Sequence, residues 1–491
     1  MKPVFTAEEM RFAENSYFAK GVSSLTLMER AAGELARRVL MLLPKDGTCA
    51  FACGSGGNGG DGYAAARLLS EKGVRTVILQ ASEPRNPDAV TNCERAKSTV
   101  FAISDTSALN RLPKPDVWVD CLFGIGLNRA PDENHARLIQ RINEDHENGS
   151  LVISCDLPSG LNADTGETPD ECVWADETVT FQAYKCGLLL QKGVDVCGNV
   201  TVADIGIGED CYPSGAMCLV EDGDVKRALP KRLRSAHKND FGHLLIVAGS
   251  LGMAGAAAIT ALSALRSGAG LVTVACPESI EPILQTLVPC AMCIPLPEKD
   301  GALSDEAHGK LESAIGGKTA LAVGPGLSMK CSEKCIRLAL ECSVKAVFDA
   351  DALNIIGRNA DLKALLKPCH AVTPHPGEAA RLLGEKLRDA CLAAERLSAC
   401  GCAALVKGPC SVIKQKGLFI SSSGCTGMAK GGSGDALTGI VGALLAQGLD
   451  CETALWAASQ LHGRAGESAQ EKYGTASMLA SDLVSCIGEV L

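Results

Sequence analysis

Near its C-terminal end the chain reads Gly427-Met-Ala-Lys-Gly-Gly-Ser-Gly-Asp435-Ala-Leu-Thr-Gly-Ile440. Glycines placed ahead of a helix can turn bare N–H groups toward one point. With the positive end of the helix dipole, they form an anion site suited to phosphate. A carboxylate in that place is repelled by the phosphate unless it has work to do. Asp435 therefore reads as a base toward an attacking hydroxyl; the competing reading is a plain helix cap. A second constellation lies in the first half. Gly54-Ser-Gly-Gly-Asn-Gly-Gly-Asp-Gly62 follows one apolar run, Asp120 ends Val117-Trp-Val-Asp120, and Asp156 ends Leu151-Val-Ile-Ser-Cys-Asp156, with Ser159 close behind. In open parallel sheets the carboxyl ends of strands line the ligand crevice. Asn58, Asp120 and Ser159 thus converge as oxygen donors suited to a hard cation; either acid alone could instead cap a helix or sit in a turn.

The elements that must position these groups follow an α/β rhythm. Residues 6–43 read as mostly helix, opened by a Thr6/Glu9 capping box and striped by Leu27, Met28, Ala31, Leu35, Val39 and Leu42. Thr48–Cys53, a glycine turn, a helix through Leu69 and a strand over Val74–Leu79 make a βαβ unit. The match to G-x-G-x-x-G (Gly54, Gly56, Gly59) lacks the acid that a dinucleotide site wants at the end of the second strand, where Gln80, Ala81 and Ser82 stand. This disfavours an ordinary Rossmann dehydrogenase. Strands follow at Glu177–Gln182 and Val200–Ile205, with Tyr184-Lys185-Cys186-Gly187 between them. The pattern weakens from Gly206 to Arg234, which marks a domain junction near residue 220.

The second half restarts with a strand over His243–Ala248 and a glycine-rich turn, Gly249–Ala257, into a helix ending near Ser267. Strands recur at Leu271–Cys276, Thr319–Val323, Ala346–Asp349, Ala371–Thr373 and Ala403–Lys407. Their ends carry Gly324-Pro-Gly326, Asp349-Ala-Asp351, Thr373-Pro-His375 and Lys407-Gly408. His375 and Lys407 stand at strand ends, where function is expected, but each also has a structural or solvated reading. After Asp435 the apolar residues Leu437, Ile440, Val441, Leu444 and Leu445 fall on one helical face, and two more helices cover 451–470 and 476–490.

Composition sets the bounds. With 491 residues the chain is too long for one core. The 46% hydrophobic content, 4% aromatics and 52 glycines fit α/β enzymes rich in tight turns. A net charge of −10 without a basic block argues against nucleic acid as a partner. No apolar run is long enough to span a bilayer. The 24 cysteines lie largely inside apolar runs and read as small core residues in a reducing cytoplasm. Cys290-Ala-Met-Cys293, the only C-x-x-C, has no second pair at zinc-site spacing.

Together these motifs resemble the bifunctional NAD(P)H-hydrate repair enzymes, which join an N-terminal NAD(P)HX epimerase to a C-terminal ADP-dependent NAD(P)HX dehydratase of the ribokinase-like superfamily. The resemblance covers nearly the whole chain, with independent motifs in the right order in both halves. It implies an α/β protein of two domains: a Rossmann-like three-layer α/β/α sandwich over 1–215 and a ribokinase-like α/β/α domain over 221–491. Gly57, Asn58, Gly59, Gly60 and Asp61 match the epimerase substrate loop, although the family usually has Asn where Gly57 stands. Gly124, Ile125, Gly126, Leu127, Asn128, Arg129, Ala130 and Asp156 match its other substrate contacts, and Asn58, Asp120 and Ser159 its potassium ligands. In the dehydratase half, Ala256, Ala257, Gly326, His375 and Asp435 match hydrate-binding positions. Lys407, Gly408, Pro409, Cys410, Ser411 and Gly434 match nucleotide contacts. Lys430 stands where the family often has Thr, either adding charge near the phosphates or pointing to water.

The resemblance further implies substrates NADHX and NADPHX, in which water has added across a double bond of the reduced nicotinamide. ADP phosphorylates the hydroxyl, with Mg2+ bridging the phosphates and Asp435 taking the proton. Loss of phosphate then restores the ring, and AMP is released. The epimerase, with K+ and with Asp156 as acid/base, interconverts the R and S hydrates. Apolar helical stripes point to a homo-oligomer. The alternative is a ribokinase-like vitamin-precursor kinase with a non-catalytic N-terminal binding module.

Overall fold

The computed structural model describes residues 1–96, 100–102, 109, 112–127 and 131–491. It divides into two compact units, Lys2–Ala216 and Met217–Leu491.

The first unit is built on a parallel sheet of seven strands in the order Val100–Ala102, Arg75–Gln80, Thr48–Cys53, Val117–Cys121, Leu151–Cys155, Glu177–Phe181 and Asn199–Ala203. The central strands are buried on both faces, which is why they read as unbroken apolar runs. From Thr48–Cys53 the chain first runs outward to one side, then returns to add strands on the other. The crevice at that switch point, outside the carboxyl ends of Thr48–Cys53 and Val117–Cys121, is where such sheets take ligands. The expected helical start resolves into Ala7–Phe18, with the Thr6/Glu9 capping box in place, and Ser24–Leu42. Leu27, Ala31, Leu35 and Val39 of the apolar stripe lie in the core of this unit. The stripe is therefore spent inside the fold and gives no support to assembly.

The glycines after Thr48–Cys53 serve close packing. A Cβ on Gly59 would lie 2.0 Å from the carbonyl oxygen of Gly54, because the helix Gly57–Glu71 starts hard against the strand end. Gly59→Ala is expected to destabilise the first unit by about 1–3 kcal/mol, the usual cost of overpacking, read as a fall in its thermal unfolding midpoint.

The second unit carries ten strands in the order Met292–Leu296, Leu271–Pro277, His243–Val247, Ala320–Val323, Lys345–Phe348, His370–Val372, Ala403–Val406, Ser411–Lys414, Leu418–Ser421 and Met217–Leu219. The first seven are parallel; Ser411–Lys414 pairs antiparallel with both its neighbours. The hairpin strands Ser411–Lys414 and Leu418–Ser421 are absent from the sequence reading, since their short runs lack a clear period. The helix Ser433–Ala446 departs from the one-sided expectation: every residue from Ala436 to Ala446 is buried. It packs on the strands Ala320–Val323 and Lys345–Phe348 and against the helices Ala254–Arg266 and Cys451–Tyr473, so all its faces are apolar. Cys290 is exposed and Cys293 half-buried. Among the described residues no helix is long and apolar enough to cross a membrane.

Candidate active sites

At the switch point of the first unit lies a cavity of about 610 Å³, lined among others by Asn58, Asp61, Gly124–Leu127, Asp156 and Lys185. The structure thus gathers at least four separate sequence segments around one space. Asn128, Arg129 and Ala130 lie outside the described residues. Asn58 sits in the first turn of the helix Gly57–Glu71, and Asp61 just beyond it. Gly57, the first helical residue, also borders the cavity, while Gly59 and Gly60 are buried against the strand and the preceding helix.

Beside this cavity the expected cation ligands interlock. Asn58 Nδ2 donates to the Phe123 carbonyl at 2.8 Å, and Phe123 N–H donates to Ser159 Oγ at 2.9 Å. Ser159 Oγ donates to Asp120 Oδ1 at 2.6 Å, and Ser159 N–H to Asp120 Oδ2 at 2.8 Å. Leu122 N–H and Ser154 Oγ also donate to Asp120, so both oxygens of this fully buried carboxylate are taken within the protein. Burial pushes its pKa up, against the pull of the Ser159 donors. The atom left over is Asn58 Oδ1, buried and without a hydrogen bond among the described residues. A buried carbonyl-type oxygen with no donor is costly unless something positive approaches it. The donor set therefore fits a hard cation, with Asp120 supplying charge and orienting Ser159.

Asp156 stands at φ 65°, in the left-handed region. Its Oδ1 accepts from Thr180 Oγ1 at 2.9 Å and pairs with Lys185 Nζ at 2.6 Å. Lys185, with an exposure of 1%, carries no role expected from the sequence. Its only signal was a lysine between the two apolar strands on that side of the sheet. Burial, then the nearby Asp156 and Glu14 charges, push Asp61 well above the usual carboxylate range; Lys185 pulls the other way. Burial likewise raises Glu14.

In the second unit the strand ends converge on the mouth of the helix Ser433–Ala446. Gly432 precedes it with φ 97°, a conformation that suits glycine and turns the loop into the helix. A Cβ on Gly434 would lie 3.4 Å from Lys407 Nζ, which places that ammonium at the helix mouth. Lys407 Nζ pairs with Asp349 Oδ1 at 2.7 Å, and Thr438 Oγ1 donates to Asp349 Oδ2 at 2.6 Å. Asp435 is half-buried in the first turn; burial, reinforced by the Asp349 charge, pushes its carboxyl up to about 6. An acid raised in this way accepts a proton more readily than an ordinary aspartate while staying mostly ionised at neutral pH.

The other expected residues fall around this mouth in different ways. Ser250 Oγ donates to the Gly326 carbonyl at 2.8 Å, and Gly326 approaches so closely that a Cβ there would meet Ala256 Cβ at 3.0 Å. Ala257 is fully buried. His375 is exposed and caps the helix Pro376–Leu383, its Nδ1 accepting from Gly377 N–H at 2.9 Å. Lys407 N–H donates to the Pro374 carbonyl, which holds the two strand ends together. Gly408 and Pro409 are exposed at the turn between Ala403–Val406 and Ser411–Lys414; Cys410 is buried and Ser411 half-buried.

Lys430 fits neither reading made from sequence. Its Nζ donates to the carbonyls of Ala476 and Met478 at 2.7 and 2.6 Å, bracing the loop from outside. The reason is local: those carbonyls precede the last helix and have no helical partner. A second brace is His462, missed because it lies mid-helix. Burial pushes its imidazole down to about 4, so it is neutral, and its Nε2–H donates to the Ser433 carbonyl at 2.8 Å.

Comparison with known proteins gives concordant matches over both units. Residues 244–489 match the family model described as NAD(P)H-hydrate dehydratase, and residues 24–187 that of YjeF-related protein N-terminus. The chain is 35% identical to the bifunctional NAD(P)H-hydrate repair enzyme Nnr of Moorella thermoacetica, over 99% of this chain and 96% of that protein. It is 35% identical to the protein of the same name from Escherichia coli, over 99% and 94%. A solved ADP/ATP-dependent NAD(P)H-hydrate dehydratase from Bacillus subtilis, co-crystallized with ATP/Mg2+, is 27% identical with a TM-score of 0.48, covering 56% of this chain and 97% of that one.

Proposed function

The chain belongs to the family of bifunctional NAD(P)H-hydrate repair enzymes, and from that membership we propose that it returns hydrated NADH and NADPH to use. The first unit epimerises the R and S hydrates. The second phosphorylates the hydroxyl of the S hydrate from ADP, releases AMP, and lets phosphate leave as the ring double bond re-forms. The observation that carries this reading is Asp435, raised and half-buried in the first turn of a helix whose mouth also holds Lys407.

Hydroxide is a poor leaving group, so the uncatalysed dehydration is slow; phosphate is a good one. Asp435 takes the proton as the substrate oxygen attacks the terminal phosphoryl group of ADP. The amides of Gly431–Gly434, the helix end and Lys407 stabilise the charge that develops on that group. Gly408–Ser411 border the nucleotide, and Ala256, Gly326 and His375 the hydrate. Mg2+ bound with the nucleotide supplies further charge neutralisation.

In the first unit Asp156 moves the proton, and Asn58, Ser159 and Asp120 hold K+. That ion supplies a fixed positive charge beside the substrate loop. Asn58→Ala is expected to lower epimerisation and abolish the rise in rate on exchanging Na+ for K+, measured with either hydrate epimer. Cysteines packed as small core residues, such as Cys49, Cys121 and Cys276, suit a reducing compartment such as the cytoplasm.

The decisive experiment incubates the protein with a mixture of R and S hydrates, with ADP, with ATP and with neither, and follows each epimer. With nucleotide both epimers disappear, and dihydronicotinamide and orthophosphate accumulate. Without nucleotide the epimers only equilibrate. Accumulation of a stable phosphorylated product would instead favour the kinase alternative.

A further inference from the structure

Lys185 ends the two-residue strand Tyr184–Lys185 and is almost fully buried. An ammonium taken out of water needs close partners. It has three: Nζ donates to Thr180 Oγ1 at 2.9 Å and to the Phe181 carbonyl at 2.8 Å, and it pairs with Asp156 Oδ1 at 2.6 Å. Thr180 Oγ1 in turn donates to the same carboxylate oxygen at 2.9 Å. Two donors thus converge on Oδ1, while Oδ2 receives no hydrogen bond from a described residue. Asp156 and Lys185 both line the cavity that Asn58 and Asp61 border.

The other charges near this pair are Glu14 and Arg11 on the helix Ala7–Phe18 and Asp61 on the helix Gly57–Glu71. With Asp88 of the helix Pro87–Arg95, four carboxylates line the cavity beside one buried ammonium. Asp156 also holds a left-handed backbone conformation, which a residue other than glycine keeps when its surroundings fix it.

Resting on the epimerase reading, we propose that Lys185 is a positioning residue for epimerisation: it clamps Oδ1 of Asp156 and leaves Oδ2 to exchange the proton with substrate. Hydration of an enamine leaves the hydroxyl on the carbon next to the ring nitrogen. The nitrogen lone pair expels that hydroxyl as the C–O bond breaks, and the hydroxyl leaves as water with a proton from Asp61. Water adds to the opposite face of the resulting iminium; the new C–O bond forms as Asp156 Oδ2 takes the proton. Solvent returns that proton to Asp61, so no redox change and no net proton transfer remain.

The test is the kinetics of R-to-S conversion, in K+, for the full chain. Lys185→Met is expected to lower kcat by about tenfold or more with KM little changed, because Asp156 Oδ1 is no longer held. Lys185→Arg recovers part of the lost rate. Adding Lys185→Met to Asp156→Asn causes no further loss, as expected for a residue that acts through Asp156. A wild-type kcat in Lys185→Met, or single losses that multiply in the double variant, overturns the proposal. If circular dichroism shows Lys185→Met unfolded, Thr180→Val decides: lower kcat with unchanged KM supports the clamp, and wild-type kcat overturns it. A wild-type chain that fails to epimerise at all defeats the epimerase reading itself, an outcome distinct from normal epimerisation by Lys185→Met.

Discussion

Asp435→Asn is expected to leave nucleotide and hydrate binding largely intact and to cut dehydration turnover by about a hundred- to ten-thousandfold, the range for loss of a general base. Asn keeps the shape and can cap the same helix, so a capping role alone predicts almost no loss of rate. Single-turnover release of phosphate, with binding measured separately, distinguishes the two roles. The wild-type profile carries the complementary sign. Burial, then the Asp349 charge, pushes the carboxyl up to about 6, and only its ionised form can take the hydroxyl proton. Dehydration is therefore near its full rate at neutral pH and falls by about tenfold per unit as pH drops well below 6. The Asn variant should lose that acidic limb together with its rate.

Asp349→Ala is expected to destabilise the second unit by about 3–5 kcal/mol, the usual cost of stripping one partner from a buried ion pair. Asp349 is 1% exposed and accepts from Lys407 and Thr438 on its two oxygens. Lys407, at 22% exposure, recovers part of its loss by turning toward water, so the lower end of the range applies. Thr438 Oγ1 already lies 3.1 Å from the Gly434 carbonyl and falls back on it. The freed Lys407 no longer sits fixed at the helix mouth, so KM for the nucleotide should rise as well. Calorimetry of the full chain, resolving the transition of this unit, together with nucleotide saturation curves, checks both effects. An unchanged transition would show that the pair contributes nothing to the fold.

The sites differ in how much of them could be read from the sequence. Asn58, Asp120, Asp156 and Ser159 were legible because each follows an apolar strand, and parallel sheets bring strand ends together whatever lies between them. Asp435 was legible because the glycines and the helical period stand next to it. Lys185 was not, since its importance comes from Asp156, 29 positions earlier by the numbering, and no local pattern announces that pairing. Lys430 misled because a charge beside a phosphate loop suggests phosphate, whereas its range lets it reach the carbonyls of Ala476 and Met478. His462 sits in the middle of a long helix, where a histidine has no periodic signature. In the fold, the long buried strands were legible to within about a residue, while the hairpin strands Ser411–Lys414 and Leu418–Ser421, no shorter than Ala320–Val323, are broken by polar residues and show no clear period.

The glycine loop is fastened along its length by the protein itself. Gly424 N–H donates to Glu467, Gly427 N–H to Gln470, Lys430 holds two carbonyls, and His462 holds the carbonyl of Ser433. A receptor that is already rigid loses little conformational freedom on capture. Calorimetric titration with ADP should therefore give a small change in heat capacity, without the large negative value of coupled folding. Association should proceed in a single phase whose rate rises linearly with nucleotide concentration, with no plateau from a slow rearrangement.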